Sequence, residues 1–185
     1  MDAAWAATLL QLNLIANSLL LAGALWCIAF PSQRIYPMTS PDGWYYAMWA
    51  LFGFVFVSNP LFVLLDWNTG LWTSPLRFWL AVPPVVLGGG LVSWGMATLG
   101  ARRTSGLAEG LVAEGPDRLT RNPQYVGDLL LFSGVALFAN SEVVAVTHLL
   151  AALVLLVAPF SDEPWLAEQY GDAYIGYRKN VPRYL

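Results

Sequence analysis

Charged residues are scarce in this chain, and cysteine and histidine are almost absent. Only 11% of the 185 residues are charged, compared with about 25% in average soluble proteins. A single cysteine, Cys27, excludes an internal disulfide framework and any cysteine-rich metal site. A single histidine, His148, argues against a histidine-based zinc or iron centre, so we expect no metal. The net charge of -3 disfavours nucleic acid as a partner.

Long uncharged runs dominate the sequence instead. No Asp, Glu, Lys or Arg occurs in residues 3–33, 43–65, 78–101 or 143–161. Each run can supply the ~20 apolar residues of a membrane-spanning helix. We therefore predict an all-α polytopic membrane protein, a single domain over residues 1–185 with about five transmembrane helices and a C-terminal amphipathic helix at the interface. The predicted spans are roughly 3–30, 44–65, 76–99, 123–140 and 142–159.

Polar and small residues within the spans predict helix–helix contacts. Asn13 and Asn17 are four residues apart on one helix face, where they should hydrogen-bond to another helix or, less simply, contact a substrate. His148 is interpreted as a packed histidine. Small residues recur every fourth position in the third span and predict a close helix contact, within the chain or between chains: Gly89, Ser93, Ala97 and Ala101.

Two polar segments flank the last two spans. Residues 115–128 precede the fourth span, and residues 162–185 follow the fifth. The link between these spans, near residues 140–142, is so short that they should form an antiparallel hairpin, which brings the two polar segments together. In the tail, a stripe of apolar and aromatic residues at helical spacing predicts the amphipathic helix, which should begin near Pro164: Leu166, Tyr170, Tyr174 and Tyr177.

Basic residues indicate the topology. With five spans, the loops at 31–43 and 100–122 lie on the same side as the tail, and together these segments hold eight of the nine basic residues. The other side holds Arg77. The positive-inside rule then places the N-terminus outside and the C-terminus, with both polar segments, in the cytoplasm.

The start of the fourth span suits an anion. Asn122 is a candidate N-cap and Pro123 a good first helical residue, and the free amides there, together with Arg121, would attract a carboxylate or phosphate. Asp128, one turn into the helix and on the face of Tyr125, either faces a cavity or pairs with a nearby arginine. Glu163 could likewise bind a ligand hydroxyl or amine, pair with Arg121 or Arg183, or do both.

Two motifs resemble a known family. The run from Leu111 to Gly127, with Gly115-Pro116 and Arg121-Asn122-Pro123-Gln124-Tyr125, is similar to the signature of the isoprenylcysteine carboxyl methyltransferase superfamily, which includes phospholipid methyltransferase-like proteins. Its C-terminal signature resembles Asp162 to Leu166 with Tyr170 to Tyr177 and Val181 to Arg183. Three departures occur: Asn122 replaces the commoner histidine, Asp117 replaces the usual tyrosine, and Phe160-Ser161 replace a basic residue suited to a prenylcysteine carboxylate.

The resemblance implies an integral membrane methyltransferase that uses S-adenosylmethionine. It would methylate a lipophilic or membrane-partitioned acceptor by direct in-line transfer, with membrane lipids as partners. The candidate cofactor-binding residues are Gly115, Arg118, Arg121, Asn122, Pro123, Tyr125, Asp162, Glu163 and Tyr174. The candidate catalytic residues are Glu163, Arg121 and Asp128.

Two other functions fit the same residues. Sterol reductases, which use NADPH, share a similar C-terminal half, and the Asn122-to-Asp128 run fits their motif as well. A membrane scaffold or lipid-binding protein with the same fold would bind no cofactor. Binding of S-adenosylhomocysteine or NADPH would separate the three.

Overall fold

The protein is a bundle of five long helices. The computed structural model describes residues 3–36, 43–104 and 110–185, and within these ranges no strand occurs. The helices are α1 (Ala3–Ala29), α2 (Gly43–Leu65), α3 (Leu76–Thr104), α4 (Pro123–Ala139) and α5 (Glu142–Asn180). Two short 3-10 segments, Pro31–Gln33 and Gly115–Arg118, lie in the connections. Parts of the predicted polar loops, residues 37–42 and 105–109, lie outside the described residues.

The helices have the length and surface of membrane spans. α1, α2, α3 and α5 are each long and apolar enough to cross a bilayer, whereas α4 is apolar but has 17 residues, or about 26 Å at 1.5 Å per residue. Large apolar side chains point outwards, such as Leu64 and Trp79, which are 78% and 79% exposed. An outer surface of this kind suits lipid rather than water. The predicted all-α polytopic membrane protein is confirmed.

The predicted hairpin of the last two spans is confirmed. α4 ends in a left-handed residue, Asn140, and α5 begins directly after Ser141, whose hydroxyl accepts a hydrogen bond from the Val144 amide at 3.0 Å. The Asn140 side chain also bonds to the Gly70 carbonyl at 3.1 Å, which fixes the α2–α3 loop to the hairpin. Both polar segments therefore lie at the opposite end of the bundle from this turn.

The fifth span continues through Pro164 to a break at Gly171, contrary to the predicted start of a separate helix near Pro164. α5 continues through Pro159 and Pro164, and its backbone leaves helical geometry at Gly171, with φ of 53°. Each proline removes one amide donor and frees the carbonyl four residues before it, but membrane helices tolerate such prolines where neighbouring groups compensate. Proline was therefore the wrong boundary signal, and the glycine with positive φ ends the regular helix.

The polar residues of α1 contact α2 as predicted. Asn13 Nδ2 donates to Ser58 Oγ at 2.7 Å and to Asn59 Oδ1 at 3.0 Å, and Asn17 Nδ2 donates to Asn13 Oδ1 at 3.0 Å. His148 is buried and donates from Nδ1 to the Val144 carbonyl at 2.9 Å. These residues thus act in helix packing.

Within the chain, the close contact of α3 uses a different face from the predicted small-residue stripe, and a contact of that stripe between chains stays a prediction. Gly89 has open space around it and Ser93 is exposed, whereas Gly88 meets the backbone of α4 at Gly127. Positions four apart drift by about 40° per step around a helix of 3.6 residues per turn. The contacting positions alternate steps of four and three, and so stay on one face: 81, 85, 88, 92 and 95.

Candidate functional site

A cavity of about 510 Å³ lies at the end of the bundle where the polar segments meet. One part of its wall is apolar and comes from α2 and α3, and the other part is polar and comes from α4, α5 and the segment before α4. The apolar part includes Met48, Phe52, Phe56, Val92, Met96 and Leu99. A site with both characters can hold a polar ligand next to a lipophilic one.

Most of the predicted site residues line this cavity. The hairpin brings them together from two helices, as the short link predicted. They are Arg121, Asn122, Pro123, Tyr125, Asp128, Asp162 and Tyr174. The aromatic stripe of the tail also faces the cavity, because Leu166, Tyr170 and Tyr177 are in its wall.

Three predicted residues lie elsewhere. Gly115 has φ of 54° and packs against α3, where a Cβ would come within 2.7 Å of Thr98 Oγ1. The Arg118 side chain is exposed. Glu163 is buried behind the cavity wall rather than in it. The positive φ and close approach give Gly115 a structural reason to be glycine.

Glu163 is the centre of a buried ion-pair cluster. Its Oε1 accepts from Arg121 Nη2 at 2.7 Å and from Arg183 Nε at 2.8 Å, and its Oε2 accepts from Arg183 Nη2 at 2.8 Å. The Arg183 guanidinium also lies 3.9 Å from the centre of the Phe160 ring. The predicted alternative in which Glu163 pairs with Arg121 or Arg183 is confirmed, and the structure shows both pairs at once.

Arg121 is committed to protein partners. Besides Glu163, its Nη1 donates to the carbonyls of Arg178 at 3.2 Å and Val181 at 2.5 Å. Its backbone amide bonds to the Pro182 carbonyl at 2.9 Å. Arg121 therefore fixes the C-terminal residues against the start of α4, while its charge remains at the cavity wall.

Asn122 is at the N-cap position of α4 but does not cap the helix with its side chain. Its Nδ2 donates instead to the Arg183 carbonyl at 3.1 Å, and Thr120 Oγ1 donates to the same carbonyl at 2.8 Å. The predicted capping bond is therefore absent, because the C-terminal segment lies close enough to attract the side chain.

A hydrogen-bonded chain crosses the cavity wall from α5 to the segment after α1. Tyr125 Oη donates to Asp162 Oδ2 at 3.0 Å, and Tyr36 Oη lies 3.2 Å from Tyr125 Oη. Since the Tyr125 proton is directed at Asp162, the proton between the tyrosines belongs to Tyr36. Burial, and then the nearby charge of Asp162, raises the pKa of Tyr36, so its hydroxyl keeps that proton.

Sequence reasoning missed Tyr36 as a site residue. The topology had placed residues 31–43 beside both polar segments, so an aromatic hydroxyl in that loop was a usable signal. The structure joins this loop to α4 by the hydrogen bond between Tyr36 and Tyr125, and to the tail by an ion pair between Arg34 and Glu168. The segment after α1, the segment before α4 and the tail thus lie at one end of the bundle.

Asp117 is a second site residue that the sequence prediction left out. It lines the cavity and is 5% exposed, and its Oδ2 has no hydrogen-bond partner within the described part of the chain. Burial raises the pKa of this carboxyl from 3.8 to about 6. In the sequence, Asp117 stands out only because it replaces the tyrosine that is usual at this position of the motif.

The raised pKa of Asp117 predicts a pH-dependent stability of the ligand-free protein. A carboxyl whose pKa is higher in the folded state stabilises the fold below its unfolded pKa and loses that contribution as pH rises through the folded value. From about pH 4 to about pH 7, wild type should lose roughly 2 kcal/mol relative to Asp117→Asn. Unfolding of both proteins in detergent across this range tests it, and parallel profiles would contradict it.

Asp128 also faces the cavity, one turn from Tyr125. Neither Arg118 nor Arg121 pairs with it, so the predicted ion pair with one of these residues is not formed. An acidic residue in a membrane helix is costly unless a cavity or a partner accommodates it, and here the cavity does.

Acidic groups outnumber basic ones in the cavity wall. Among the described residues, Asp117, Asp128 and Asp162 line it with one arginine, Arg121. Arg121 and Arg183 share the single carboxylate of Glu163, so that cluster carries a net charge of +1 against the three aspartates. The field inside should therefore favour a cationic ligand and disfavour a polyphosphate.

Comparison with known proteins identified one family. The family model for phospholipid methyltransferase (PEMT) matches residues 76–173, which is more than half of the chain. The match spans α3, α4 and most of α5, and these helices supply much of the cavity wall. The comparisons with curated proteins and with solved structures gave no match.

Proposed function

Because the chain belongs to the phospholipid methyltransferase family, we propose that it transfers a methyl group from S-adenosylmethionine to a lipid or other membrane-partitioned acceptor. The family supplies the reaction class. The cofactor, the acceptor class and the roles of individual residues are proposed from the cavity described above.

The observation that carries this proposal is the charge and polarity of one cavity. Its polar wall has three carboxylates, Asp117, Asp128 and Asp162, that no described arginine or lysine neutralises within 4.0 Å. A sulfonium is a cation, so such a wall complements it, whereas the phosphates of NADPH would be repelled. The adjoining apolar wall, from α2 and α3, suits a lipophilic acceptor.

The residues present fit the cofactor in a second respect. Asp117 Oδ2 and the Tyr174 hydroxyl are buried polar atoms without a partner in the described ranges, and both residues line the cavity. Buried polar atoms are normally hydrogen-bonded, so two unsatisfied polar atoms in one cavity wall suggest a polar ligand. S-adenosylmethionine offers both donors and acceptors for them.

S-adenosylmethionine supplies a methyl group that is already activated, so the protein has mainly to position the acceptor and exclude water. The Tyr36 oxygen, which donates its proton to Tyr125, can accept a hydrogen bond from an amine or hydroxyl acceptor. Asp128 lies one turn deeper on α4 and can take the proton that the acceptor loses.

Arg121 and Glu163 act in this proposal by holding the site together. Their mutual ion pair and the bonds from Arg121 to the tail fix the start of α4 against α5. Arg118 is exposed and does not line the cavity, so we assign it no contact with the cofactor. We place this end of the bundle at the cytoplasmic face, where a soluble cofactor can enter, because the basic residues cluster there.

Cofactor binding tests this function directly. Titration calorimetry on the detergent-purified protein should detect S-adenosylhomocysteine and show no NADPH binding. No S-adenosylhomocysteine binding at about 1 mM would overturn the methyltransferase proposal. In that case, NADPH binding would indicate a reductase, and binding of neither ligand would indicate a non-catalytic membrane protein.

Methyl transfer tests the acceptor class. Radiolabelled S-adenosylmethionine is added to the protein in vesicles of phosphatidylethanolamine or, as a matched control, phosphatidylcholine. The amine of the first lipid can accept a methyl group, whereas the nitrogen of the second is already fully methylated. Label in the phosphatidylethanolamine lipid alone supports an amine acceptor, and label in neither lipid would overturn it.

A further inference from the structure

Asp117 is held by its backbone, while Oδ2 of its carboxylate has no hydrogen-bond partner in the described part of the chain. In the 3-10 segment Gly115–Arg118, the Asp117 amide donates to the Glu114 carbonyl at 3.1 Å. The Asp117 carbonyl accepts from Tyr177 Oη at 2.6 Å. The side chain is therefore fixed at the cavity wall, and its Oδ2 bonds to no described group.

The environment of Asp117 calls for a positively charged donor. A carboxylate that is 5% exposed has lost most of its hydration, and burial of an unpaired charge is costly. The nearest arginines along the chain do not compensate it, because Arg118 is exposed and Arg121 pairs with Glu163. A neutral hydroxyl would satisfy the hydrogen bond but leave the charge unbalanced.

A second buried polar group in the same wall, the Tyr174 hydroxyl, suits a ligand group of the opposite charge. The Tyr174 hydroxyl is buried and makes no hydrogen bond of good geometry, although Arg121 lies beside it. A hydroxyl near a positive charge suits an anionic oxygen. The ring of Tyr174 lies 6.1 Å from that of Tyr177, which bonds to Asp117. One wall thus presents an anion and a donor, the complement of an amino acid zwitterion.

We propose that Asp117 binds the α-ammonium group of the cofactor's amino-acid portion, with Tyr174 donating to its carboxylate. This inference rests on the proposed function, since it takes S-adenosylmethionine as the ligand. It adds a subsite that fixes one end of the cofactor, and so the direction of the sulfur relative to the apolar wall.

Deleting the ammonium group from the ligand tests the contact. Calorimetry compares S-adenosylhomocysteine with 5′-S-(3-carboxypropyl)-5′-thioadenosine, which lacks only the amine. Wild type should prefer the amine-bearing ligand by about tenfold or more, because a hydrogen bond between charged groups contributes roughly 1.5–3 kcal/mol. In Asp117→Asn the preference should fall to about threefold or less.

Two control variants separate this contact from general effects. Asp172→Asn removes an equal charge from an exposed site on the tail and should keep the full preference. Tyr174→Phe should weaken binding of both ligands and keep the preference, since the amine is not its partner. An unchanged preference in Asp117→Asn, or an equal loss of both ligands, would overturn the ammonium contact.

Thermal unfolding shows whether Asp117→Asn still folds. Removal of an unpaired buried charge should leave the ligand-free variant at least as stable as wild type near neutral pH. The stabilisation by S-adenosylhomocysteine should then be smaller than in wild type. If wild type binds S-adenosylhomocysteine without any amine preference, this inference fails alone; if wild type does not bind it, the proposed function fails as well.

Discussion

Replacement of Glu163 with alanine should lower the free energy of unfolding by about 3–5 kcal/mol. The Glu163 side chain is 6% exposed and bonds to two arginines, of which Arg121 is 9% exposed. Without the carboxylate, the buried guanidinium of Arg121 keeps its charge and loses its counter-ion. Loss of one partner of a buried pair costs far more than the pair itself contributes.

A surface ion pair provides the matched control. Glu168 is on the same helix as Glu163 and pairs with Arg34, but its side chain is 60% exposed. Glu168→Ala should therefore cost about 0–1 kcal/mol. Unfolding of both variants in the same detergent measures the difference, and equal effects would contradict the buried-cluster interpretation.

Glu163→Ala should also loosen the C-terminus. Arg183 loses both bonds to Glu163 and keeps those that its carbonyl accepts from Thr120 and Asn122. Digestion with a carboxypeptidase should consequently be faster in Glu163→Ala than in wild type or Glu168→Ala. Glu163→Gln keeps the shape of the side chain and part of its hydrogen bonding. Its rate of digestion should therefore lie between the rates of wild type and Glu163→Ala.

Much of the site was predictable because one short link decides it. The two residues between α4 and α5 force a hairpin, so the polar segments at its open end must meet. From that proximity, a pair of Glu163 with Arg121 or Arg183 was one predicted alternative, and the structure shows the Arg121 bond at 2.7 Å. The proximity of the two polar segments could be predicted because it depends on chain connectivity and not on the conformation of side chains.

Other features depended on three-dimensional detail. The unpartnered state of Asp117 follows from which groups fail to reach it, and no motif encodes that. Asn122 has the sequence of an N-cap, yet the nearby Arg183 carbonyl attracts its side chain. The end of the regular part of α5 was misplaced because Pro159 and Pro164 stay within the helix, whereas Gly171 takes a positive φ.

The choice of face on α3 was missed for a geometric reason, and it leads to the second large prediction. A Cβ on Gly88 would come within 2.5 Å of the Gly127 carbonyl oxygen and 2.6 Å of the Leu131 amide nitrogen. Both are backbone atoms of α4 and cannot move aside as a flexible side chain can. Gly88→Ala should therefore force the two helices apart and cost about 3 kcal/mol, the upper end of the usual overpacking penalty.

The neighbouring glycines make the test internally controlled. Gly89 and Gly90 have open space where a Cβ would be placed, and alanine is the better helix former by roughly 0.5–1 kcal/mol. Gly89→Ala and Gly90→Ala should therefore unfold at or above the wild-type midpoint in the same detergent. Equal destabilisation by all three changes would refute the packing, whereas loss in Gly88→Ala alone would establish it. Since α3 and α4 also enclose the cavity, Gly88→Ala should weaken S-adenosylhomocysteine binding while its two neighbours leave it unchanged.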